Sequence, residues 1–386
     1  MLNILGYLRY NTLDMKILID GRFIKQTGIG RYIEEMVEQV LVLDKKNEYV
    51  LLIRKKDQDQ ISLKAKNLSL LPVDIDWYNL KEQIKLAKII EKQEPDLVHF
   101  TNFNFPLRYR GKFVMTIHDL TLLHFQNIRK KGIGKLKYKV RDQARRLAMR
   151  QGVKRAKLIL VDCEYVKEDI AKTYHVRRNK IVVAPLAGEA AYKRARIDLE
   201  KYGIDKPFLF YTGNAYPHKN LERLILAFGQ LTTKYLLDYQ LVIGGKKDDF
   251  HEGLEEEVKK SGLSERVIFT GFVSDAELAG LYKAATLYVL PSLSEGFGLP
   301  GLEAMSYGLP VVSSNATCLP EVLGDAAEYF NPRSVKDIAA VIAKVLADKD
   351  LQTKLVKKGY RQIKKYSWKK TAKITHEVYE QAMRNK

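Results

Sequence analysis

The sequence predicts an α/β protein built from two doubly wound domains. Short runs rich in β-branched residues alternate with longer segments whose apolar residues recur at helical spacing, and this alternation is typical of parallel sheets crossed by helices. Several of the short runs are apolar on both faces, as strands covered by helices on both sides must be. At 386 residues the chain is long enough to form two full cores.

Twelve strands are expected, in two series of six. The first series comprises Lys16–Asp20, Tyr49–Arg54, Leu97–Thr101, Phe113–His118, Leu158–Asp162 and Ile181–Pro185. The second comprises Phe208–Gly213, Gln240–Gly244, Val267–Gly271, Thr286–Pro291, Val311–Ser314 and Glu328–Phe330. A polar segment at 188–206 separates them, so we expect one domain at 1–190 and another at 191–367. Because ligands bind beyond the carboxyl ends of strands in open α/β sheets, two such Rossmann-like domains would face a common cleft.

The composition is that of a globular protein in a reducing compartment. Hydrophobic residues make up 46% of the chain and charged residues 29%, and no apolar run approaches the roughly 20 residues that span a bilayer. Residues 1–14 lack the features of a signal peptide, and we interpret them as a short extension. Cys163 and Cys318 are far apart in sequence and in no metal-binding spacing, which predicts free thiols in the cytoplasm.

Positive charge is concentrated in the first half of the chain. The net charge is +20, and residues 1–190 carry +15 of it, from 37 basic and 22 acidic side chains. Within 128–157, thirteen basic residues accompany one acid, and helical spacing predicts an amphipathic helix with its apolar stripe on the core. The basic face predicts an anionic partner, a membrane surface, nucleic acid or a phosphorylated acceptor, unless the charges are merely solvated. The expected stripe comprises Ile133, Leu136, Val140, Ala144 and Leu147.

The stretch SEGFGLPGLEAMSYGLP places two acids beside a glycine-rich turn between two predicted strands. Glu295 and Glu303 flank a loop that contains Gly296 and Gly298. Glycine lets the backbone approach a ligand closely because it has no Cβ and tolerates positive φ. Two acids beside such a turn could accept hydrogen bonds from several ligand hydroxyls. The alternative is a tight strand-to-helix turn with two solvated carboxylates.

Gly28 and Gly30 follow the first predicted strand. We expect a helix to open after them at Arg31, where free backbone N–H groups could meet phosphate. Ile33, at the position of a further glycine in the dinucleotide pattern, argues against a nicotinamide site.

Two other candidates lie at predicted strand ends. His118 ends a strand that points toward the same cleft, although a histidine in that place is more often structural. Lys219 follows Gly213 at a strand-to-helix turn, which suggests a phosphate contact.

With these residues assembled, the chain resembles the retaining glycosyltransferases of family 4, which have the GT-B fold. EGFGLPGLEA is similar to the family's E-x7-E signature, and PEVLGDAAEYFNP is similar to the segment that follows it. TGIGRYIEEM, TIHDL and YSWKKTAKITHEVYEQAM resemble the opening loop, the histidine strand and the terminal helix. The resemblance covers nearly everything from Met15 to Lys386. It implies that a helix at about 368–386 packs back on the first domain.

The resemblance implies a role for each candidate. Glu303 would bind the ribose of a nucleotide sugar, and Lys219 would neutralise the diphosphate. Glu295 and the backbone N–H groups of Phe297 and Gly298 would hold the donor sugar, and His118 would lie beside it. Asn214 stands where the family commonly has arginine, so the diphosphate charge would rest on Lys219 and helix N-termini, or His218 would assist. The implied catalytic residues are His118, Glu295 and Lys219. The implied donor site comprises Gly28, Gly30, Gly213, Asn214, Lys219, Glu295, Gly296, Phe297, Gly298, Leu299 and Glu303.

Two D-x-D triplets are interpreted as coincidental. Metal-dependent sugar transferases bind a divalent ion through such a triplet, but neither example here has other ligands near it in sequence. We place Asp57-Gln58-Asp59 in a polar loop and Asp74-Ile75-Asp76 in a β-like segment. No H-x-x-x-H, C-x-x-C or P-loop pattern occurs, so neither a bound metal nor a cofactor is expected.

The expected reaction is hexosyl transfer from a nucleotide diphosphate sugar to a glycan or lipid-linked acceptor. GDP-mannose is favoured because GIGRY and YPHKN look most like mannosyltransferase members, with UDP-glucose, UDP-galactose and UDP-N-acetyl sugars as alternatives. We expect a cytoplasmic enzyme of surface polysaccharide or glycolipid synthesis, docked peripherally on an anionic inner membrane face through 128–157, without nucleic acid. The rival interpretations are a GT-B-like epimerase or phosphorylase, and a non-catalytic basic protein that binds membranes or nucleic acid.

Overall fold

The computed structural model describes residues 14–77, 79, 81–125, 133–188, 197–246 and 249–384. The described residues form two compact units. One contains those within Met1–Ile117, Lys139–Leu160 and Ala372–Lys386, and the other contains those within His118–Tyr138 and Val161–Thr371. The expected boundary at 190 divides the chain differently, because the described residues within 118–138 and 161–188 group with the second unit.

A seven-stranded parallel sheet contains the first series of strands. Its order is β3-β2-β1-β4-β5-β6-β7, where β1 is Lys16–Asp20, β2 Glu48–Arg54, β3 Leu68–Val73, β4 Leu97–Phe100, β5 Phe113–Thr116, β6 Ile159–Val161 and β7 Ile181–Val183. The helices along this part are α1 (Thr27–Leu43), α2 (Ala87–Glu91), α3 (Thr121–His124), α4 (Ile133–Arg155) and α5 (Glu164–Tyr174). All residues of β4 and nearly all of β1 and β2 are buried, as strands covered on both faces must be.

A six-stranded parallel sheet forms the core of the second unit. Its order is β10-β9-β8-β11-β12-β13, where β8 is Phe208–Thr212, β9 Gln240–Gly244, β10 Val267–Gly271, β11 Leu287–Leu290, β12 Val311–Ser314 and β13 Ala327–Phe330. The order reverses once in each sheet, which creates switch points between β1 and β4 and between β8 and β11. The remaining helices are α6 (Leu221–Thr233), α7 (Asp249–Lys260), α8 (Asp275–Ala284), α9 (Leu299–Ser306), α10 (Leu319–Leu323), α11 (Val335–Ala347), α12 (Lys349–Ile363) and α13 (Trp368–Arg384).

The described part of the chain contains the twelve expected strands and adds a thirteenth, β3. The stretch LSLLPV has no regular alternation of buried and exposed residues, and Pro72 removes a backbone donor. β3 lies at the edge of its sheet, which is where a sheet tolerates proline. Several expected strand ends also shift. β5 ends at Thr116, so His118 lies beyond the strand rather than at its end.

Helix α1 begins at Thr27 rather than at Arg31 as expected. Gly30 N donates to Gln26 O at 3.0 Å, so helical hydrogen bonding starts before the two glycines. Gly28 has φ and ψ of 0° and −57° inside the first turn, which is not a helical conformation. Gly30 is constrained differently, because a Cβ there would lie 2.4 Å from a carbonyl oxygen of the preceding turn.

The apolar stripe expected on α4 is wrong where the structure describes the side chains of this helix. Ala144 and Leu147 belong to the expected stripe but are exposed, Leu147 by 50%. Gly152 explains the difference, because a Cβ on it would lie 2.7 Å from the Met115 side chain. The face of α4 that contains Gly152 is therefore the one that packs on the core. The buried face comprises Ala148, Met149, Gly152 and Val153. The side chains of Ile133, Leu136 and Val140 lie outside the described residues.

Arg22 is buried between two carboxylates beyond the end of β1. Its Nη2 lies 2.7 Å from Asp20 Oδ2 and 2.6 Å from Glu82 Oε1. Burial alone would lower the pKa of Arg22, but the two carboxylates outweigh it and raise the pKa. This cluster joins the turn after β1 to the segment that precedes α2.

One cation joins the two D-x-D triplets. Asp57 lies in a short 3-10 helix rather than a loop, with its Oδ2 2.6 Å from Arg54 Nε. Asp76 lies beyond the end of β3 rather than in a strand, with its Oδ1 3.4 Å from Arg54 Nη1. Arg54 also lies over the ring of Trp77, 4.4 Å from its centroid. One acid of each triplet therefore neutralises a structural arginine.

Buried polar side chains join α13 to the first sheet. Tyr379 OH lies 2.7 Å from His99 Nδ1 on β4, and His99 Nε2 lies 2.8 Å from Thr116 Oγ1 on β5. Tyr32 OH, on α1, contacts the same Thr116 hydroxyl at 2.9 Å. From Ala372 onward, α13 groups with the first unit. Within the described ranges, no helix combines the length and apolarity needed to cross a membrane.

Candidate active site

The segments that follow β8 and β11 meet at the switch point of the second sheet. The two strands pair in parallel, and ligands of open α/β sheets bind at such a point. The segment after β8 contains Gly213, Asn214 and the turn Pro217–Lys219. The segment after β11 runs through Glu295 to Gly298, the residue before α9.

Lys219 and Glu295 form an ion pair across this switch point. Lys219 Nζ lies 2.8 Å from both carboxylate oxygens, and the two side chains are only 17% and 11% exposed. Ser292 Oγ donates to Glu295 Oε1 at 2.6 Å. The backbone N–H of Glu295 donates to Thr317 Oγ1 at 3.1 Å. The side chain and the backbone of Glu295 are thus both held in place.

The charges of this cluster are set by its geometry. Burial raises the pKa of Glu295, but the ion pair with Lys219 and the hydrogen bond from Ser292 outweigh it, and the net shift is downward. Burial and the neighbouring ammonium group lower the pKa of His218 to about 4. At neutral pH the site therefore holds an ionised carboxylate and a neutral imidazole.

Gly296 brings the loop against the turn that carries His118. A Cβ at Gly296 would lie 2.3 Å from His118 O, so only glycine permits this approach. Ser294 Oγ and Thr121 Oγ1 lie 3.0 Å apart and join the same two segments. The structure therefore places His118 beside the loop that contains Glu295.

His118 is paired with a buried acid. Its Nδ1 lies 2.9 Å from Asp162 Oδ2, and the two side chains are 13% and 3% exposed. Burial raises the pKa of Asp162, and the nearby imidazole opposes this rise without cancelling it. Nδ1–H donating to the carboxylate fixes the orientation of the ring. The pair comes from neighbouring parallel strands, since His118 follows β5 and Asp162 directly follows β6.

Glu303 lies on α9 and is held by a tyrosine of α8. Tyr282 OH donates to Glu303 Oε2 at 3.0 Å. The Tyr282 ring is buried and stacks on Tyr307, with the ring centroids 5.4 Å apart. Tyr282 thus fixes one oxygen of the Glu303 carboxylate.

The turn between Glu295 and α9 has little conformational freedom. Phe297 is buried, and its ring meets Tyr366 edge-on with the centroids 5.5 Å apart. Gly298 has a φ of 88°, a conformation that favours glycine, and it caps α9, whose first residue is Leu299.

The other expected donor-site residues lie in two places. Gly213, with a φ of 149°, and the exposed Asn214 follow β8 in the second unit. Gly28 and Gly30, at the start of α1, belong to the first unit. Among the described side chains, no cluster of three or more His, Cys, Asp or Glu residues could hold a metal ion.

Sequence reasoning missed several groups that contact the site. Asp162 carried a usable signal, because it ends the predicted strand that comes next along the chain after the one ending at His118. Thr317, which has a φ of 54° in the turn after β12, carried none. Cys163 and Cys318, distant in sequence, both contact the Glu295 loop.

Replacing Lys219 with methionine should destabilise the protein most at neutral pH. The pKa of Glu295 is depressed in the folded state, so the pair contributes stability above the ordinary pKa of a glutamate, and this is lost as pH falls through the folded value. In Lys219→Met, burial should raise the pKa of Glu295 instead. We expect a loss of about 3 kcal/mol at pH 7 that shrinks toward pH 4, measured by urea unfolding.

Lys206→Met is the matched control, because it removes a half-buried lysine whose Nζ lies 2.7 Å from the exposed Asp238. It should change stability little at any pH, as solvent screens surface pairs. Equal losses at pH 7 and pH 4 for Lys219→Met would contradict the assignment of an ionised Glu295.

Two family models match the chain. Glycosyltransferase Family 4 matches residues 28–187, and Glycosyl transferases group 1 matches residues 195–362. Together they cover the second sheet, every strand of the first sheet except β1, and the whole of the Glu295 loop.

Relatives and solved structures resemble the chain over most of its length. It is 30% identical over 389 residues to O-antigen chain mannosyltransferase B of Escherichia coli, covering 95% of this chain and 99% of that protein. It is also 30% identical over 270 residues to O-antigen chain mannosyltransferase RfbU of Salmonella typhimurium, with 70% of each covered. Sucrose-phosphate synthase from Thermosynechococcus elongatus shares the fold, with a TM-score of 0.77 at 19% identity over 96% of this chain and 100% of that chain.

The family expected from the motifs is thereby confirmed, and so is the α/β fold of two parallel sheets. This chain has the GT-B fold, belongs to the family 4 glycosyltransferases and is a hexosyltransferase.

Proposed function

We propose that the chain transfers mannose from GDP-mannose to a glycan or lipid-linked acceptor, with retention of configuration, in the synthesis of a surface polysaccharide or glycolipid. Two relatives aligned over most of the chain are named O-antigen chain mannosyltransferases, which supports both the sugar and the class of product.

The observation that carries the proposal is the Lys219–Glu295 pair at the switch point. Lys219 precedes the N-terminus of α6, so its ammonium group and the N–H dipoles of the helix place positive charge in one region. A neutral imidazole and an ionised carboxylate lie next to it. This combination suits a ligand with an anionic diphosphate at one end and sugar hydroxyls at the other.

The chemistry requires stabilisation of a leaving group. When the bond between the sugar C1 and the diphosphate oxygen breaks, positive charge develops on the sugar and negative charge on the diphosphate. Lys219 stabilises the departing diphosphate, and a preorganised donor of this kind contributes about 3 kcal/mol. The acceptor hydroxyl forms the new bond to C1 on the same face, and its proton passes to the departing phosphate oxygen.

The remaining site residues hold the donor. Glu303, fixed by Tyr282, would accept hydrogen bonds from the ribose hydroxyls. Glu295 would accept them from the transferred sugar. His118, oriented by Asp162 and packed beside the loop, would contact the same sugar.

The proposed reaction does not require a divalent ion, because Lys219 supplies the positive charge that the diphosphate needs. One acid of each D-x-D triplet, Asp57 and Asp76, is engaged with Arg54. That engagement supports a structural role for the triplets.

The purified protein should turn over GDP-mannose faster than UDP-glucose, UDP-galactose or UDP-N-acetylglucosamine, and activity should persist in EDTA. Product analysis by mass spectrometry would follow both hydrolysis and transfer. Faster turnover of a UDP sugar would overturn the choice of mannose and leave the family intact. Loss of activity in EDTA with rescue by Mn²⁺ would overturn metal independence. Conversion of the donor sugar to an isomer without transfer would indicate an epimerase.

Two substitutions should affect different kinetic constants. Lys219→Met should lower kcat about 100-fold, because its partner gains charge as the bond breaks. Glu303→Ala should raise the KM for the donor about tenfold with a smaller effect on kcat, because ribose contacts persist from ground state to transition state. Steady-state kinetics with varied donor measures both. Lys206→Met is again the control and should turn over at the wild-type rate. If Lys219→Met also turns over at nearly the wild-type rate, Lys219 does not stabilise the diphosphate.

We further propose that a basic surface of the first unit docks on an anionic membrane and so brings the enzyme to a lipid-linked acceptor. Arg150 and Lys154 are exposed on α4. Arg155, the last residue of α4, donates to the backbone oxygens of Leu107 and Tyr109, which joins the helix to the loop before β5.

That loop adds three exposed cations, Arg108, Arg110 and Lys112. The pKa of Arg155 is lowered by burial and by the proximity of Arg110, so positive charges are gathered closely here. Each exposed cation near an anionic leaflet contributes roughly 1 kcal/mol, so five of them suffice for reversible docking but not for insertion. The basic surface comprises Arg108, Arg110, Lys112, Arg150 and Lys154.

Vesicle co-sedimentation should detect this docking. The protein should pellet with mixed phosphatidylcholine and phosphatidylglycerol vesicles at low salt, should not pellet with phosphatidylcholine alone, and should be released as salt rises. The triple variant Arg110→Ser/Lys112→Ser/Arg150→Ser should lose binding. The control Lys354→Ser/Lys357→Ser/Arg361→Ser removes the same charge from exposed positions on α12 and should bind as the wild type does. Equal recovery in the supernatant with both kinds of vesicle would overturn the proposal.

A further inference from the structure

The two cysteines of the chain lie together beneath the active-site loop. Cys163 precedes α5 and Cys318 precedes α10, and both are buried. Cys163 Sγ lies 3.2 Å from Gly296 O, and Cys318 Sγ lies 3.3 Å from Glu295 O. The Cys163 thiol is one of the groups that raise the pKa of Cys318, so the two side chains are neighbours. Two thiols 155 positions apart in sequence thus contact successive carbonyl groups of one loop.

The thiols act here as hydrogen-bond donors. A carbonyl oxygen can only accept, so each contact requires the hydrogen to reside on sulfur. Burial raises the pKa of Cys318 well above its ordinary value, with the neighbouring Cys163 thiol adding to the rise. A thiolate would place a negative charge against the Glu295 carbonyl oxygen, so the neutral form also suits the geometry.

The contacts determine where two backbone N–H groups point. Across a trans peptide, the carbonyl of one residue and the N–H of the next point in opposite directions. Holding the Glu295 carbonyl on Cys318 therefore directs the Gly296 N–H away from the sulfur. Holding the Gly296 carbonyl on Cys163 does the same for the Phe297 N–H. No cis peptide bond occurs among the described residues, so the rule applies to both peptides.

The other hydrogen bonds of the loop hold residues that precede these two peptides. The Leu293 N–H donates to His218 O at 2.7 Å, and the Glu295 N–H donates to Thr317 Oγ1 at 3.1 Å. Both bonds fix the chain before the Glu295 carbonyl. The orientation of the next two peptides is fixed at their oxygen atoms by the sulfurs.

We propose that Cys163 and Cys318 are positioning residues for donor binding, whose S–H groups hold the Glu295–Gly296 and Gly296–Phe297 peptides so that the Gly296 and Phe297 N–H groups are presented to the donor. This inference rests on the proposed function for the identity of the ligand. The hydrogen bonds of the two thiols to the loop, on which the inference is built, do not depend on which ligand binds.

The double variant Cys163→Ala/Cys318→Ala tests the proposal in the full chain. With GDP-mannose as the probe, its donor KM should rise about fivefold while kcat changes less than twofold, the effect of losing weak hydrogen bonds that act in binding. Cys163→Ser/Cys318→Ser, which restores an O–H donor at each position, should return the KM to near the wild-type value. Ser313→Ala is the control, because it removes a buried hydroxyl that donates to Ser314 O at 3.0 Å, outside the loop.

Hydrogen exchange separates this proposal from the choice of donor. In ligand-free protein, loss of the thiol anchors should let the whole loop open more often, which breaks the hydrogen bonds of the Leu293 and Glu295 amides as well. These two amides should therefore exchange faster in the alanine variant than in the wild type, and the serine variant should restore protection. Unchanged exchange overturns the positioning role whatever the donor is. Faster exchange with an unchanged donor KM also overturns it, because the loop would then be looser without a consequence for binding.

Faster exchange in a protein that turns over UDP-glucose instead of GDP-mannose overturns only the choice of sugar, and the KM comparison is then made with UDP-glucose. A wild-type protein that uses no nucleotide sugar contradicts the proposed function. The same result overturns the donor-presenting role of the thiols, even where exchange shows that they hold the loop.

Discussion

The absence of a side chain at Gly296 is the constraint on which the candidate active site depends. Because a Cβ there would lie 2.3 Å from His118 O, any other residue would force apart the segments that follow β5 and β11. The close approach lets Ser294 bond Thr121 and lets the thiol of Cys163 reach the loop. These contacts also explain why the residues after β5 and β6 group with the second unit.

The electrostatics of the site follow from what is buried with what. Lys219 keeps Glu295 ionised against the effect of burial, and the same ammonium group helps to keep His218 neutral. Asp162, more deeply buried and opposed only by an imidazole, has its pKa shifted the other way. Two carboxyl groups near one loop therefore differ in proton affinity because one has a permanent cation as partner and the other does not.

The sequence predicts the local features of this protein better than those made by tertiary contact. Strands follow from apolar β-branched runs. The run that forms β3 contains Pro72, which argues against a strand in general, but an edge strand tolerates proline because it needs fewer backbone donors. The Glu295 and Glu303 pair can be recognised from the sequence because Glu295 lies in the turn that leads directly into the short helix containing Glu303. Tyr282, which fixes Glu303, comes from a different helix and has no signal near the motif. The buried face of α4 was mispredicted because close packing at Gly152, rather than apolar spacing, decides it.

The ion pair of Lys219 and Glu295 bears on the energetics of the proposed reaction. The ammonium group is neutralised by a carboxylate 2.8 Å from it, so neither group is left buried and uncompensated. In the proposed reaction, the diphosphate of the donor would compete with Glu295 for this cation, and binding in the ground state would gain only the difference between the two interactions. As the glycosyl bond broke, charge would grow on the diphosphate but not on Glu295, so the competition would shift toward the leaving group. A cation shared in this way would favour the transition state over the bound substrate, which is the condition for catalysis rather than for tight binding.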